Sequence, residues 1–231
     1  MHDYRTRERS CTNMKTELAN TRSQVVLEHV EPDFGLYYLS TTLARGGISD
    51  SLLQRVLAND ETGDPRRCFY GAIRRLASPT TLRYLKFASD MRILFGTLDG
   101  LHVVEVGGGY GGLSKVLFDV FPHIAGYAVF DLPEVLPLIE KHHASMPTLD
   151  DARAEGRCCQ YLDGSDNSKF ASAPPADLFV SYYALTELAD EHAASYLADV
   201  AMRCVCARPF RISLWGPDFL KSELLKRTEV P

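Results

Sequence analysis

The chain has 231 residues, a net charge of -5 and 45% hydrophobic residues. That length suits one domain, alone or with a helical extension, and the apolar fraction is enough for a core. The net negative charge gives no indication of the basic surface that binds nucleic acid. No apolar run is long enough to span a membrane, and the polar N-terminus is unlike a signal peptide. The six cysteines lack zinc or redox spacing, so we expect reduced, buried thiols in a cytoplasmic protein.

The first part of the chain is predicted to be helical. Residues 1–30 carry a weak helical pattern, and Pro32–Gly47 is a mixed segment. Asp50 or Ser51 is expected to cap a helix that ends near Leu57. Ser78-Pro79 predicts the start of a longer helix, with Ser at the N-cap and Pro at the first helical position. We expect residues 1–98 to form a helical N-terminal region.

The stretch Leu101–Gly112, LHVVEVGGGYGG, is the centre of the second part. Its β-branched run predicts a buried parallel strand, and an amphipathic helix follows over Gly111–Phe121. Strand and helix patterns then alternate. Four more strands are predicted at Tyr127–Asp131, Arg157–Leu162, Asp177–Tyr183 and Phe210–Trp215. This alternation predicts an α/β fold, a Rossmann-like parallel sheet with helices on both faces, over residues 99–231.

The glycine turn fits two ligand patterns. Gly107, Gly109 and Gly112 satisfy G-x-G-x-x-G, the dinucleotide fingerprint. Glu105 with Gly107, Gly109 and Gly111 satisfies E-x-G-x-G-x-G, the pattern of S-adenosylmethionine sites. A tight strand-to-helix turn without a ligand is the third interpretation. The spacing alone does not decide among them.

Three carboxylates narrow the choice. Glu105 lies at the end of a buried strand, where burying a carboxylate costs free energy unless the group is paired. The amino group of a methionine moiety would pair with it. A pyrophosphate would be repelled by it. Asp131 lies at the end of the next strand and is followed by Leu132. Its carboxylate can accept hydrogen bonds from both ribose hydroxyls. The alternative interpretation is that Asp131 is the N-cap of a helix that begins at Pro133. Asp163 follows the third strand, where it can meet the adenine amine or simply be a turn residue.

Three sequence blocks carry a family resemblance. They read VVEVGGGYGGLSKVL, YAVFDLPEVLPLIEKHH and DLFVSYYALTEL. With the upstream SPTTLRYLKFASDMRILFG, they resemble the sugar O-methyltransferases of the S-adenosylmethionine-dependent superfamily, over roughly Gly63 to Leu188. The resemblance implies a seven-stranded sheet and S-adenosyl-L-methionine as cofactor. It also implies a cofactor site that includes Glu105, Gly107, Gly109, Gly111 and Asp131. The hairpin that normally closes such a sheet has no candidate here, so strands 6 and 7 are expected to be missing from a truncated domain.

Candidates for the general base lie after the fourth strand. The two candidate bases are Glu187 and His192. Each can also be interpreted simply as a residue in the first turn of a helix. Asp190, Glu191 and His192 are consecutive on a helix and cannot share a face, so we expect no metal. Tyr110, between the glycines, is predicted to cover the cofactor, or else to be a surface ring. Substrate contacts are predicted at Arg83, Tyr84 and Tyr183.

The sequence therefore predicts an S-adenosylmethionine-dependent O-methyltransferase acting on a sugar hydroxyl. The expected partner is a small sugar-containing acceptor, and a homo-oligomer is possible. Two alternatives stay open: an NAD-dependent oxidoreductase, and a truncated protein that binds the cofactor without turnover. The sugar comes from the resemblance alone.

Overall fold

A computed structural model describes residues 30–157, 159–166, 175–182, 184–200 and 211–215. The chain divides into two compact units. Residues up to Leu98 together with Gly112–Pro122 form the first unit, and Asp99–Gly111 with the residues from His123 onward form the second.

The first unit is built from helices and one small hairpin. The helices are α1 (Pro32–Arg45), α2 (Asp50–Leu57), α3 (Pro79–Phe95) and α4 (Gly112–Val120). The hairpin pairs β1 (Cys68–Tyr70) with β2 (Arg75–Ala77) in antiparallel fashion, which the sequence did not predict. The predicted helical N-terminal region is compatible with this unit, which adds the hairpin to the helices.

The helix starts in this unit are set by serine caps. The Ser78 side chain accepts from the Thr80 N–H with Pro79 next in line, as predicted for α3. In α2 the cap is Ser49, whose Oγ lies 3.1 Å from the Leu52 nitrogen. The prediction of Asp50 or Ser51 as the cap is wrong by one or two positions, because Ser49 keeps the extended backbone that an N-cap requires.

The second unit contains a five-stranded parallel sheet. Its strands are β3 (His102–Val106), β4 (Gly126–Asp131), β5 (Cys159–Asp163), β6 (Leu178–Tyr182) and β7 (Arg211–Trp215). The spatial order is β5-β4-β3-β6-β7, and every neighbouring pair is parallel. This confirms the predicted Rossmann-like α/β fold.

The helices of this unit follow the strands in the chain. They are α5 (Leu136–Ala144), α6 (Pro147–Ala154), α7 (Ala184–Glu187) and α8 (Asp190–Ser195), and a π-helical turn over Tyr196–Val200 extends α8. The helix expected to open at Pro133 begins at Leu136, after a turn. Among the described residues, no helix is both long and apolar enough to cross a membrane.

Both faces of the central strands are buried, which explains their continuous apolar sequence. One face carries Val104, Val106 and Phe130, packed against the Tyr196 ring. The alternate residues, Val103 and Glu105 among them, point to the opposite face and are also buried. Cys68 and Cys159 are thiols, as expected, but half-buried rather than buried.

The strand order determines where the ligand-binding crevice of such a fold lies. After β3 the chain continues to β4 on one side, and later adds β6 on the other side. In parallel α/β sheets, ligands bind beyond the carboxyl ends of the strands at such a reversal. The residues that follow β3, β4, β5 and β6 therefore form the candidate ligand site.

Candidate cofactor site

The glycine turn after β3 is a defined structure. The Gly107 N–H donates to the Phe130 carbonyl at 2.8 Å, and the Gly111 N–H donates to the Gly108 carbonyl at 2.8 Å. Positive φ values occur at Gly107 (82°), Gly109 (59°) and Gly111 (86°). Those are the three glycines of the E-x-G-x-G-x-G pattern. Gly112, which the dinucleotide pattern needs instead of Gly111, is the first residue of α4.

Gly107 also lies where two strands end together. A Cβ built on Gly107 would come within 2.1 Å of the Ala184 Cβ, at the start of α7. Only glycine therefore fits, on both backbone and steric grounds. The close approach joins the carboxyl ends of β3 and β6, the point where the sheet order reverses.

Asp131 binds the glycine turn directly. One carboxylate oxygen, Oδ2, accepts from the Gly109 N–H at 2.9 Å, and Oδ1 accepts from the Leu132 N–H at 2.8 Å. Burial raises the pKa of this carboxyl, and backbone hydrogen bonds from Leu132, Gly109 and Gly108 oppose that rise. Because the next helix begins only at Leu136, with Val135 at its N-cap, the alternative role of Asp131 as an N-cap is wrong.

Glu105 has a partner inside the protein. Its side chain is 1% exposed, and the Tyr127 hydroxyl donates to Oε2 at 2.9 Å. Burial raises the pKa of Glu105 to about 8, the Tyr127 hydrogen bond lowers it, and the charge of Asp131 raises it further. A buried carboxyl needs a pairing group, and Tyr127 supplies one without any ligand.

Asp163 lies beside Asp131. The two residues are register partners at the carboxyl ends of β5 and β4. Asp163 Oδ1 accepts from the backbone N–H of Ser165 at 3.0 Å and from its hydroxyl at 2.6 Å. The next residue, Gly164, donates its N–H to the Asp131 carbonyl at 2.8 Å. Two carboxylates thus stand at adjacent strand ends, next to the glycine turn.

The two predicted base candidates differ in surroundings. Glu187 is exposed at the end of α7, the short helix that starts against Gly107. His192 lies on α8 with Nε2 2.9 Å from the Gly164 carbonyl oxygen, and its ring meets Tyr196 edge-on. His192 is therefore on the Asp163 side of the site. Among the described residues, no group of three His, Cys, Asp or Glu side chains is arranged to hold a metal ion.

The remaining predicted residues are placed as follows. Tyr110 is 7% exposed and packs edge-on against His142, with ring centroids 5.1 Å apart, so it is not a surface ring. The side chain of Leu132 is 54% exposed. Arg83 and Tyr84 are buried on α3 in the first unit, with the guanidinium 5.5 Å from the Tyr84 ring centre. Tyr183 lies outside the described residues.

The sequence reasoning missed one group of residues at the turn. His143, on α5, has Nε2 3.0 Å from the Gly111 carbonyl oxygen, and its Nδ1 is 3.0 Å from the Tyr161 hydroxyl. No local pattern marks this contact, because Gly111 is distant in sequence. The one available signal in the sequence was a pair of consecutive histidines on the helix that follows β4.

Comparison with known proteins decides the family. The model of the O-methyltransferase domain matches residues 90–207, just over half of the chain. The chain belongs to the O-methyltransferase domain family. The matched range includes the glycine turn and all three carboxylates described above. No curated protein sequence matches this chain.

Solved methyltransferase structures are among those similar to this chain. They include an O-methyltransferase family protein from Burkholderia thailandensis (16% identity, TM-score 0.40, 82% of this chain and 55% of that one). Human N-acetylserotonin methyltransferase in complex with SAM matches at 16% identity, with a TM-score of 0.34, over 85% and 46%. The mitomycin 7-O-methyltransferase MmcR matches at 19% identity, with a TM-score of 0.33, over 67% and 45%. The chain spans about half the length of each.

Proposed function

We propose that this protein binds S-adenosyl-L-methionine and transfers its methyl group to a sugar hydroxyl. The observation that carries the cofactor assignment is the Asp131 carboxylate, at the carboxyl end of β4 and bonded to the Gly109 N–H. Membership of the O-methyltransferase domain family supports methyl transfer to oxygen. The sugar rests on the sequence resemblance alone.

The residues present fit this cofactor. Each oxygen of Asp131 accepts a backbone hydrogen bond, and a carboxylate oxygen has two lone pairs, so ribose hydroxyls can still donate to it. Asp163, its neighbour across the strands, is our candidate for the adenine amine. Gly107, Gly109 and Gly111 let the backbone approach the ligand closely, and Tyr110 and Leu132 complete the proposed set.

Asp131 fits the ribose of either cofactor, because an acidic residue at this strand end also binds the ribose of NAD. The preference for a cationic ligand over a dinucleotide rests on Glu105, near the turn where a pyrophosphate would lie. Glu105 adds less repulsion than its formal charge suggests, since burial raises its pKa to about 8. Its carboxyl can still lose a proton to pair with an ammonium group, which makes Glu105 our candidate for the methionine end.

Methyl transfer needs alignment and a means to activate the hydroxyl. S-adenosylmethionine supplies an electrophilic methyl group on a sulfonium. The protein must align the acceptor oxygen with it and remove the hydroxyl proton. We propose Glu187 as the base, because it follows β6 at the reversal of the sheet. His192 is the second candidate, and its Nε2 already contacts the Gly164 carbonyl. Arg83, Tyr84 and Tyr183 remain proposed substrate contacts.

Calorimetric titration with S-adenosylhomocysteine tests the cofactor assignment, with NAD as the competing ligand. Asp131→Asn should weaken binding about 10- to 100-fold, the loss expected for a hydrogen bond to a charged group. Asp177→Asn is the matched control, since Asp177 bonds the His102 N–H at the amino ends of the strands. It should bind like the wild type. Binding of NAD alone would overturn the proposal.

A transfer assay tests the acceptor. Wild-type protein and Glu187→Gln are incubated with methyl-labelled S-adenosylmethionine and two panels, sugars and phenols. Label in a sugar, reduced in Glu187→Gln, is the expected result. Label only in phenols would leave methyl transfer intact and refute the sugar. Cofactor binding without transfer to any acceptor would support a non-catalytic binding protein.

A further inference from the structure

Two consecutive histidines of α5 contact two consecutive residues of the glycine turn. His142 and His143 are both fully buried. His142 meets the Tyr110 ring edge-on, with an interplanar angle of 78°. His143 Nε2 lies 3.0 Å from the Gly111 carbonyl oxygen. The last turn of α5 thus holds the turn through one ring contact and one hydrogen bond.

The hydrogen bonds of His143 define one tautomer. A backbone carbonyl only accepts, so Nε2 must carry the proton that reaches Gly111. In the neutral ring Nδ1 is then an acceptor, and the Tyr161 hydroxyl, 3.0 Å away, must donate to it. Arg153 of α6, which is paired with Asp150 at 2.6 Å, contributes a nearby positive charge to Tyr161. Two consecutive hydrogen bonds therefore run from Tyr161 on β5 through His143 to the turn.

The surroundings keep this ring neutral. Burial lowers the pKa of His143 to about 4, and the charge of Arg153 lowers it further, against the opposing effect of the Gly111 carbonyl. The titratable groups around it are His142 on the same helix, Tyr161 on β5 and Arg153 on α6. The Nε2 donor is consequently present across the physiological pH range.

Gly111 has no room to move toward the helix. A Cβ at this position would lie 2.5 Å from His143 Nε2 and 2.9 Å from Ile139 Cγ2, and φ is 86°. The carbonyl oxygen is thus held at a fixed place by a donor of fixed geometry. Preorganising a ligand-binding loop in this way lowers the entropic cost of binding.

We propose that His143 is a positioning residue that holds the glycine turn in its cofactor-binding shape through the Gly111 carbonyl, with Tyr161 fixing its tautomer. This inference rests on the proposed function, because it takes the turn to bind S-adenosylmethionine. It assigns a role to a residue that does not itself contact the ligand in our proposal. It also gives Tyr161 a function separate from packing.

A matched pair of variants separates the hydrogen bond from packing. The amide nitrogen of Gln in His143→Gln can replace Nε2 as a donor to Gly111, while Met in His143→Met has similar bulk and no donor. We expect S-adenosylhomocysteine affinity to fall about tenfold in His143→Met, the net value of one buried hydrogen bond. His143→Gln should stay within about threefold of the wild type. Equal affinity in all three proteins would overturn the inference.

Two readouts do not depend on the cofactor. Side-chain nitrogen NMR should show His143 as the neutral Nε2–H tautomer, with the other tautomer populated in Tyr161→Phe. Amide exchange at Gly111 should be faster in His143→Met and unchanged in His143→Gln. An Nδ1–H tautomer in the wild type, or unaltered exchange, would refute the role of His143. A wild-type protein that shows the expected tautomer and exchange but binds no S-adenosylhomocysteine would refute the proposed function instead.

Discussion

At the scale of single residues, the carboxyl of Glu105 links folding stability to pH. It is buried, and its hydrogen-bond donor is the Tyr127 hydroxyl. Its pKa rises from 4.5 to about 8, chiefly through burial. A carboxyl with a raised pKa in the folded protein binds its proton more tightly there than in the unfolded chain. Folding stability must therefore fall as pH rises through that interval.

The variant Glu105→Gln tests whether folding stability falls as pH rises. Glutamine keeps an oxygen that accepts from Tyr127 but cannot ionise. Between pH 5 and pH 8, the unfolding free energy of the wild type should fall relative to that of the variant by about 1.4 kcal/mol per pH unit. Above pH 8 the difference should level off. Urea unfolding at a series of pH values measures it.

The control for Glu105→Gln is Glu134→Gln, at an exposed carboxylate. Its stability curve should run parallel to that of the wild type at every pH. If the Glu105→Gln curve were also parallel to the wild type, Glu105 would not be neutral in the folded protein. Its proposed pairing with a ligand ammonium would then involve no proton release.

At the scale of elements, the buried lysine of α4 connects two helices of the first unit. Lys115 and Asp119, one turn apart, are 2% and 0% exposed and pair at 2.5 Å. The Lys115 ammonium also donates to the carbonyls of Arg55 and Val56, in the last turn of α2. The N–H of Ala58, the C-cap of α2, also reaches both carbonyls, so the Lys115 side chain adds a second donor to the end of one helix from another.

Lys115→Met should therefore cost about 3–5 kcal/mol of unfolding free energy, because it leaves Asp119 buried without its cation. Lys115→Met combined with Asp119→Leu should recover most of that loss, since both charges are then gone. Arg67→Met serves as the control, because Arg67 and Asp64 form an exposed pair at 3.9 Å, worth little. A single variant as stable as this control would show that the buried pair contributes nothing.

The strands and the long helix could be predicted because their signals are local. β3 carries the β-branched residues Val103, Val104 and Val106, and β6 begins with the apolar run Leu178–Val180. The Ser78-Pro79 start of α3 is a strong cap. α1 was missed because its buried positions are Gly35, Leu39 and Thr42. Its large apolar residues Phe34 and Tyr37 are exposed instead, so no apolar face is visible in the sequence.

The hairpin and the turn contacts had no local signal of comparable strength. β1 and β2 have three residues each, and the turn between them places Arg74 at φ 53° instead of the usual glycine. At the site, Asp131 was predictable as a strand-end carboxylate. Its bond to Gly109 and the contact of His143 with Gly111 join residues far apart in sequence, and only the folded sheet brings them together.

At the scale of the whole molecule, the strand order determines where a ligand can bind. β3 lies in the middle of the sheet, and the reversal between β4 and β6 leaves Gly107 and Ala184 side by side beyond the strand ends. Gly107 matters for both folding and binding. It has a left-handed backbone conformation, it lies in close steric contact with Ala184, and it begins the glycine turn. Substitution there should affect stability and affinity together.

Gly107→Ala should lower the free energy of unfolding by about 3 kcal/mol, combining the left-handed backbone cost with overpacking. Gly100→Ala isolates the backbone part, since Gly100 has φ 76° and nothing within 4 Å of a built Cβ. It should cost about 1–2 kcal/mol and leave S-adenosylhomocysteine affinity unchanged. Combining Ala184→Gly with Gly107→Ala should restore only the part of the unfolding free energy that was lost through overpacking. If Gly107→Ala cost no more than Gly100→Ala and bound S-adenosylhomocysteine normally, the crowding at the sheet reversal would play no part in shaping the site.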